Sequence, residues 1–192
     1  NSEDKILLID YMNVLAKEAV ALDERLDLHH YVNSMNGYLK MNEKLGLLYL
    51  QAVLEEEGYN VKTIKIITES DETGFLERLR EGSVKIVGIS LSYDNFINAN
   101  GFAQKIKEMF PEIHVTVGGP FVSAIAKDYL QDNKCIDSVM YGEGEATILE
   151  LAKCIVTNQT LVGCKGVVHR QGGSIVVEQP RECIVDLDKL PL

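Results

Sequence analysis

The chain has 192 residues, of which 46% are hydrophobic and 25% charged, no tryptophan, and a formal net charge of −10. That length fills one hydrophobic core with room for a small appendage, and the balance is that of an ordinary globular domain. The negative charge opposes a phosphate backbone, so no nucleic-acid partner is expected, and no apolar run approaches the roughly 20 residues of a membrane helix.

The first element is Lys5-Ile-Leu-Leu-Ile-Asp10, a short apolar strand pattern that follows no secretory signal, which fits a cytoplasmic setting. The stretch 11–44 is far longer than the usual connection of about 2–6 residues and reads as a long insertion or lid. Within it Asn13 can cap a helix through Val14 to Arg25, while Asp27 to Met41 is polar and mixed. Next comes a helix with Leu45, Leu48, Tyr49, Ala52 and Val53 on one face, widened by Leu47, Leu50 and Leu54. So broad a stripe predicts heavy burial.

Val61 to Ile67 is β-branched, and Gly74 to Arg80 reads as a short helix. Val84-Lys-Ile-Val-Gly-Ile-Ser90 and Ile113-His-Val-Thr-Val-Gly118 are further strands, separated by a helix with Ala99, Phe102, Ala103, Ile106 and Phe110 as its stripe. Pro120 can open a helix bearing Val122, Ile125, Ala126 and Tyr129. Ile136-Asp-Ser-Val-Met-Tyr141 is a fifth strand, and Ile148, Leu151, Ala152 and Ile155 form the last helical stripe.

Near-continuous apolar strands alternating with helices predict a doubly wound α/β fold, flavodoxin-like or Rossmann-like: a five-stranded parallel sheet with helices on both faces. Gly166 to Arg170 and Ser174 to Glu178 flank Gln171-Gly-Gly173, a hairpin pattern. The expected organisation is an α/β domain over 1–160, a C-terminal β-hairpin over 161–178 and a linker over 179–192.

In an open parallel sheet, ligands bind beyond the carboxyl ends of the strands. Ser90-Leu91-Ser92 offers small hydroxyls there, which either meet a ligand or cap a helix, as Asp94 and Asn95 also can. Gly118-Gly119-Pro120 lets backbone approach a flat or phosphorylated ligand, or simply makes a tight turn. Tyr141-Gly142-Glu143-Gly144-Glu145 alternates glycines with carboxylates; these accept hydrogen bonds from a ligand or suit a helix start.

Other signals are weak. Cys135, Cys154, Cys164 and Cys183 lack zinc or iron–sulfur spacing and read as reduced structural thiols. The adjacent His29 and His30 cannot easily share a metal, and His114 and His169 read as packing or surface residues, so no metal ligands are assigned. No nucleoside-triphosphate loop is present. A phosphoacceptor domain would carry a carboxylate where Ser90 stands, and a flavin site would want hydroxyls near Asp10-Tyr-Met-Asn13.

Leu45-Gly-Leu-Leu-Tyr-Leu50, Glu57-Gly-Tyr59, Val87-Gly-Ile-Ser90, Gly118-Gly-Pro120, Tyr141-Gly-Glu-Gly-Glu145 and Asp186-Leu-Asp-Lys-Leu-Pro191 occur in that order. The ordered set resembles the cobalamin-binding domain of cobalamin-dependent radical S-adenosylmethionine proteins. The resemblance implies cobalamin as cofactor and partner, with Ser90, Leu91 and Ser92 at the tail or corrin edge. Gly118, Gly119 and Pro120 would pass beneath the nucleotide tail and Gly142, Glu143 and Gly144 would flank it, with Phe121 and Tyr141 also counted among the cofactor-binding residues. Leu45, Gly46 and Leu47 would meet the corrin's lower face, and Tyr11 and Met12 would lie near it.

The Asp-x-His-x-x-Gly motif of other cobalamin domains is absent, with Met12 and Leu15 in its two diagnostic places, so a base-off cobalamin without a protein histidine is implied, as this radical family generally tolerates. The usual Asn-Pro-Pro after the first strand is missing too, and Phe121 replaces a common histidine. The resemblance further implies a C-terminal radical S-adenosylmethionine barrel, holding the iron–sulfur cluster and S-adenosylmethionine, that is not part of this chain. The chain is then a module of a methyltransferase-like enzyme and no catalyst alone. The rival expectation is a domain of the same fold that packs against a partner and no longer binds cobalamin.

Overall fold

The computed structural model describes residues 5–12, 44–80, 82–186, 188, 190 and 191. The expected helix over 14–25 with its Asn13 cap, the polar stretch 27–41, His29 and His30, and nearly all of the 11–44 insertion lie outside the described residues.

The elements are β1 (Lys5–Tyr11), α1 (Leu45–Glu56), β2 (Asn60–Ile66), α2 (Glu69–Arg80), β3 (Val84–Ser90), α3 (Phe96–Met109), β4 (His114–Gly118), α4 (Pro120–Ser123), α5 (Ala126–Asp132), β5 (Ser138–Met140), α6 (Glu145–Val156), β6 (Val167–Gln171) and β7 (Ser174–Val177). They form one sheet of seven strands in the order β2-β1-β3-β4-β5-β6-β7. The β1 to β5 pairs are parallel, as expected.

The hairpin is not appended to the sheet but completes it. β6 pairs antiparallel with β5, Ser138 opposite His169 and Met140 opposite Val167, and β7 pairs with β6. The physical reason is the edge that a three-residue β5 would otherwise expose. Val167 and Val168 are buried against it.

Side chains alternate across β1. Ile6 and Leu8 join α1 and α6 residues such as Leu54, Ile148 and Leu151 on one face. Leu7, Ile9 and Tyr11 join Phe75, Phe102, Ile106 and Leu130 from α2, α3 and α5 on the other. The two-faced core is the doubly wound architecture the alternation implied.

Two helix boundaries differ from expectation. α2 starts at Glu69 because Thr68 and Asp71 cap each other: Asp71 N–H donates to Thr68 Oγ1 at 3.2 Å, and Thr68 N–H to Asp71 Oδ2 at 2.8 Å. The single helix after Pro120 is two short ones, interrupted at Ala124–Ile125.

Candidate functional site

Strand order reverses between the parallel strands β1 and β3: β1 leads to β2 on one side of the sheet, while β3, β4 and β5 follow on the other. Such a switch point opens a crevice at the strand ends. Here it holds a cavity of about 420 Å³ lined by Leu8, Lys44, Leu45, Gly46, Leu47, Leu50, Gly88, Ile89, Ser90, Gly118, Gly119, Pro120, Met140, Gly142, Gly144 and Glu145. The size is that of an ordinary small-molecule pocket.

The cavity exists because its floor lacks side chains. Gly88 shares its sheet face with Ile86 and Ser90, and a Cβ on it would lie 3.0 Å from Leu8 Cδ2. A Cβ on Gly118 would meet Met140 at 3.5 Å, and one on Gly144 would meet Leu50 Cδ2 at 3.1 Å. Among the described residues nothing lies within 4 Å of a Cβ on Gly46 or Gly142, and Gly142 has φ +75. The opposite wall is α1, whose buried residues are only Leu47, Val53 and Leu54, while Leu45 is 59% exposed. The expected heavy burial of this helix is therefore corrected: part of its apolar surplus, Leu45 and Leu50, faces the cavity.

Nine of the sixteen residues singled out from the sequence line the cavity: Leu45, Gly46, Leu47, Ser90, Gly118, Gly119, Pro120, Gly142 and Gly144. The structure places the other seven elsewhere. Tyr11 is a core residue: its ring packs at 5.7 Å from Phe102, its hydroxyl donates to Glu72 Oε1 at 2.5 Å, and burial with the Glu72 carboxylate pushes its pKa up. Met12 leaves β1 on the side of β2, its N–H donating to the Ile66 carbonyl at 2.9 Å. Leu91 is buried, and Ser92 N–H donates to Asn95 Oδ1 at 2.8 Å.

Phe121 packs at a tilt against Phe96 and edge-on to Tyr93, with ring centroids at 5.2 and 5.9 Å. Tyr141 donates its hydroxyl to the Glu178 carbonyl at 2.6 Å. Glu143 turns away from the cavity, accepting the Ile184 N–H at 2.5 Å. Gly119 does line the cavity, but an added Cβ would first strike the Leu91 carbonyl oxygen, at 2.5 Å. Close packing of two strand-end loops requires this glycine.

Leu8, Lys44, Leu50, Gly88, Ile89, Met140 and Glu145 also line the cavity. Gly88 carried a signal, being a glycine within the apolar run Ile86-Val-Gly-Ile89 of a strand. Lys44 carried none: its Nζ lies 3.2 Å from Oδ1 of the buried Asp10, a pairing across the 11–44 stretch. Asn95 supports the site from behind, donating Nδ2–H to the Tyr11 carbonyl at 2.6 Å and the Ser90 carbonyl at 3.0 Å. It holds the β1 and β3 ends together.

Neither described histidine reaches the cavity. His114 Nε2 lies 2.8 Å from Ser138 Oγ and His169 Nε2 lies 3.0 Å from Glu178 Oε1. All four cysteines are free, and burial pushes the Cys164 thiol up to about 12. Among the described residues, no group of three or more His, Cys, Asp or Glu is placed to hold a metal ion. No helix among them is long and apolar enough to cross a membrane.

Largely aliphatic walls and a glycine floor suit close approach by a mostly apolar ligand surface. Comparison with known proteins agrees. The B12 binding domain profile matches residues 41–152. An uncharacterized methyltransferase of Pyrococcus horikoshii, PH0819, is 30% identical over 149 residues, covering 77% of this chain and 32% of that protein. The hopanoid C-3 methylase of Methylococcus capsulatus is 30% identical over 132 residues, covering 68% of this chain and 25% of that protein.

Among solved structures, the radical S-adenosylmethionine methyltransferase TsrM of Kitasatospora setae, with cobalamin and a 4Fe-4S cluster bound, superimposes with TM-score 0.70 at 18% identity, over 98% of this chain and 31% of that one. That likeness shows the fold. The chain spans about a third or less of the length of each of these proteins.

Proposed function

The chain belongs to the B12-binding domain family, with cobalamin as cofactor, and from that premise we propose that it is the cobalamin-presenting module of a radical S-adenosylmethionine methyltransferase-like protein. The observation that carries the reading is the glycine-floored cavity at the β1/β3 switch point, whose lining residues apart from Leu8 fall in the matched segment. At about 420 Å³ the cavity is too small for a whole corrinoid. Our reading therefore places the nucleotide end inside, along Ser90, Gly118, Gly119, Pro120, Gly142 and Gly144. The ring then lies over the mouth against Leu45, Gly46, Leu47 and Leu50.

When bound, cobalamin supplies a cobalt centre that accepts and passes on a methyl group. The chain's own residues do the rest: the α1 leucines exclude water from one side, and the glycine backbone permits close approach. S-adenosylmethionine, an iron–sulfur cluster and substrate belong in this reading to a barrel beyond the segment 179–192.

The test is reconstitution with hydroxocobalamin. Stoichiometric corrin absorbance after gel filtration supports the reading; its absence favours a domain of this fold that has lost the cofactor. No described histidine lines the cavity, so the cobalt(II) form should show an electron paramagnetic resonance spectrum without nitrogen superhyperfine coupling from a protein imidazole. Such coupling would overturn the assignment of a cobalt without a protein histidine ligand.

A further inference from the structure

We propose that the Glu145 carboxylate is a specificity-determining acceptor for a neutral N–H or O–H donor of the corrinoid, an inference that rests on the cobalamin reading and deepens it. Glu145 is the first residue of α6 and lines the cavity, and among the described residues its buried Oε2 has no hydrogen-bond partner. An ionised carboxylate only accepts hydrogen bonds, and leaving a buried oxygen without a donor is costly.

The neighbouring groups are already committed. Glu143 accepts the Ile184 N–H, Thr147 Oγ1 donates to the Glu143 carbonyl at 3.1 Å, and Lys44, the other charged lining residue, pairs with Asp10. Among the described residues the remaining walls are apolar side chains and glycine backbone, apart from Ser90. A ligand donor arriving at Glu145 would therefore satisfy an otherwise orphaned atom in an apolar setting, where such a bond discriminates strongly.

Corrinoids offer this donor chemistry in two places. Primary amides ring the macrocycle, and the nucleotide carries a ribose hydroxyl. A carboxylate accepts from either and repels an anion in the same position, so a corrinoid whose facing amide has been hydrolysed to a carboxylate is rejected.

The experiment is equilibrium dialysis of the unmodified chain, E145A and E145Q against hydroxocobalamin and against cobinamide, which lacks the nucleotide. Circular dichroism checks that each protein is folded. E145A should bind hydroxocobalamin at least about tenfold more weakly. E145Q should fall between, because its amide oxygen still accepts but a charge-assisted bond is roughly twice as strong. The isosteric E145Q carries the test if E145A does not fold. A penalty that persists with cobinamide assigns a ring amide, and one confined to hydroxocobalamin assigns the nucleotide; both support the proposal. Folded variants that match the unmodified chain with both ligands overturn it while the cobalamin reading stands. Failure of the unmodified chain to bind either corrinoid overturns both.

Discussion

The carbonyl oxygen of Leu91 occupies the space in which a Cβ on Gly119 would be built, 2.5 Å away. Gly119 also has φ +119, a conformation open to glycine but strained for other residues. The loops after β3 and β4 touch here, and Leu91 N–H donates to the Gly118 carbonyl at 2.8 Å. Gly119→Ala should therefore lower stability by about 1–3 kcal/mol even without cofactor. Urea unfolding of the apo protein measures it, with Gly101→Ala, in open space on α3, as the harmless comparison. An unchanged midpoint for Gly119→Ala would mean that the loop moves aside freely.

The cavity loop is tied to the tail by more than one bond. Glu143 accepts the Ile184 N–H, Tyr141 donates to the Glu178 carbonyl, and Arg181 Nε donates to Thr147 Oγ1 at 3.0 Å while its guanidinium pairs with Glu150. Removing the Glu143 carboxylate frees the Ile184 amide. In Glu143→Ala, hydrogen exchange at Ile184 should quicken several-fold, with little change in the β1 and β3 amides. Equal exchange in the two proteins would show that the arginine and tyrosine contacts hold the tail alone.

His114 makes the fold sensitive to acid. Burial pushes its pKa down to about 4; the Asp137 carboxylate opposes the shift, and Lys107 and His169 reinforce it. The ordinary value is about 6.5, so between these limits the unfolded chain binds more protons than the folded one. Stability should then fall as pH drops from about 6.5 towards 4, by at most about 1.4 kcal/mol per pH unit, and His114 contributes no pH dependence above that window. The ring retains some exposure, so the slope should lie below that limit. Urea midpoints at pH 7 and pH 5 should converge in His114→Gln. An equally steep loss in the variant would move the effect to another group.

Much of the fold was legible because parallel strands covered on both faces write themselves as unbroken apolar runs, as in Ile86–Ile89. The glycines of the cavity were legible for a related reason, since Gly118, Gly119, Gly142 and Gly144 interrupt such patterns at strand ends. What escaped were relations between distant residues. No local pattern says that β6 will cover the β5 edge, or that Glu143 will face Ile184 rather than the cavity. Tyr11 looked like a strand-end ligand contact, yet its alternation with Leu7 and Ile9 already placed it on the face away from the cavity. The stripe on α1 was read as core because periodicity reports an apolar face without saying whether protein or ligand covers it.

Gly46 separates those two coverings. It sits in the first turn of α1 and lines the cavity, and a Cβ there would have no neighbour within 4 Å among the described residues. Alanine is the better helix former and narrows the unfolded ensemble, so Gly46→Ala should raise apo stability by up to about 1 kcal/mol. The same methyl stands where our reading lays the corrin, so cobalamin affinity should drop while stability rises. Gly46→Leu extends the argument: its side chain fills the mouth, and affinity should fall at least about tenfold, or about 1.4 kcal/mol. Opposite signs in the two measurements would be hard to obtain from general damage to the fold, which lowers both. Urea unfolding without cofactor and equilibrium dialysis with hydroxocobalamin supply the pair of numbers. A Gly46→Leu protein that binds cobalamin as tightly as the unmodified chain would place the corrin away from α1.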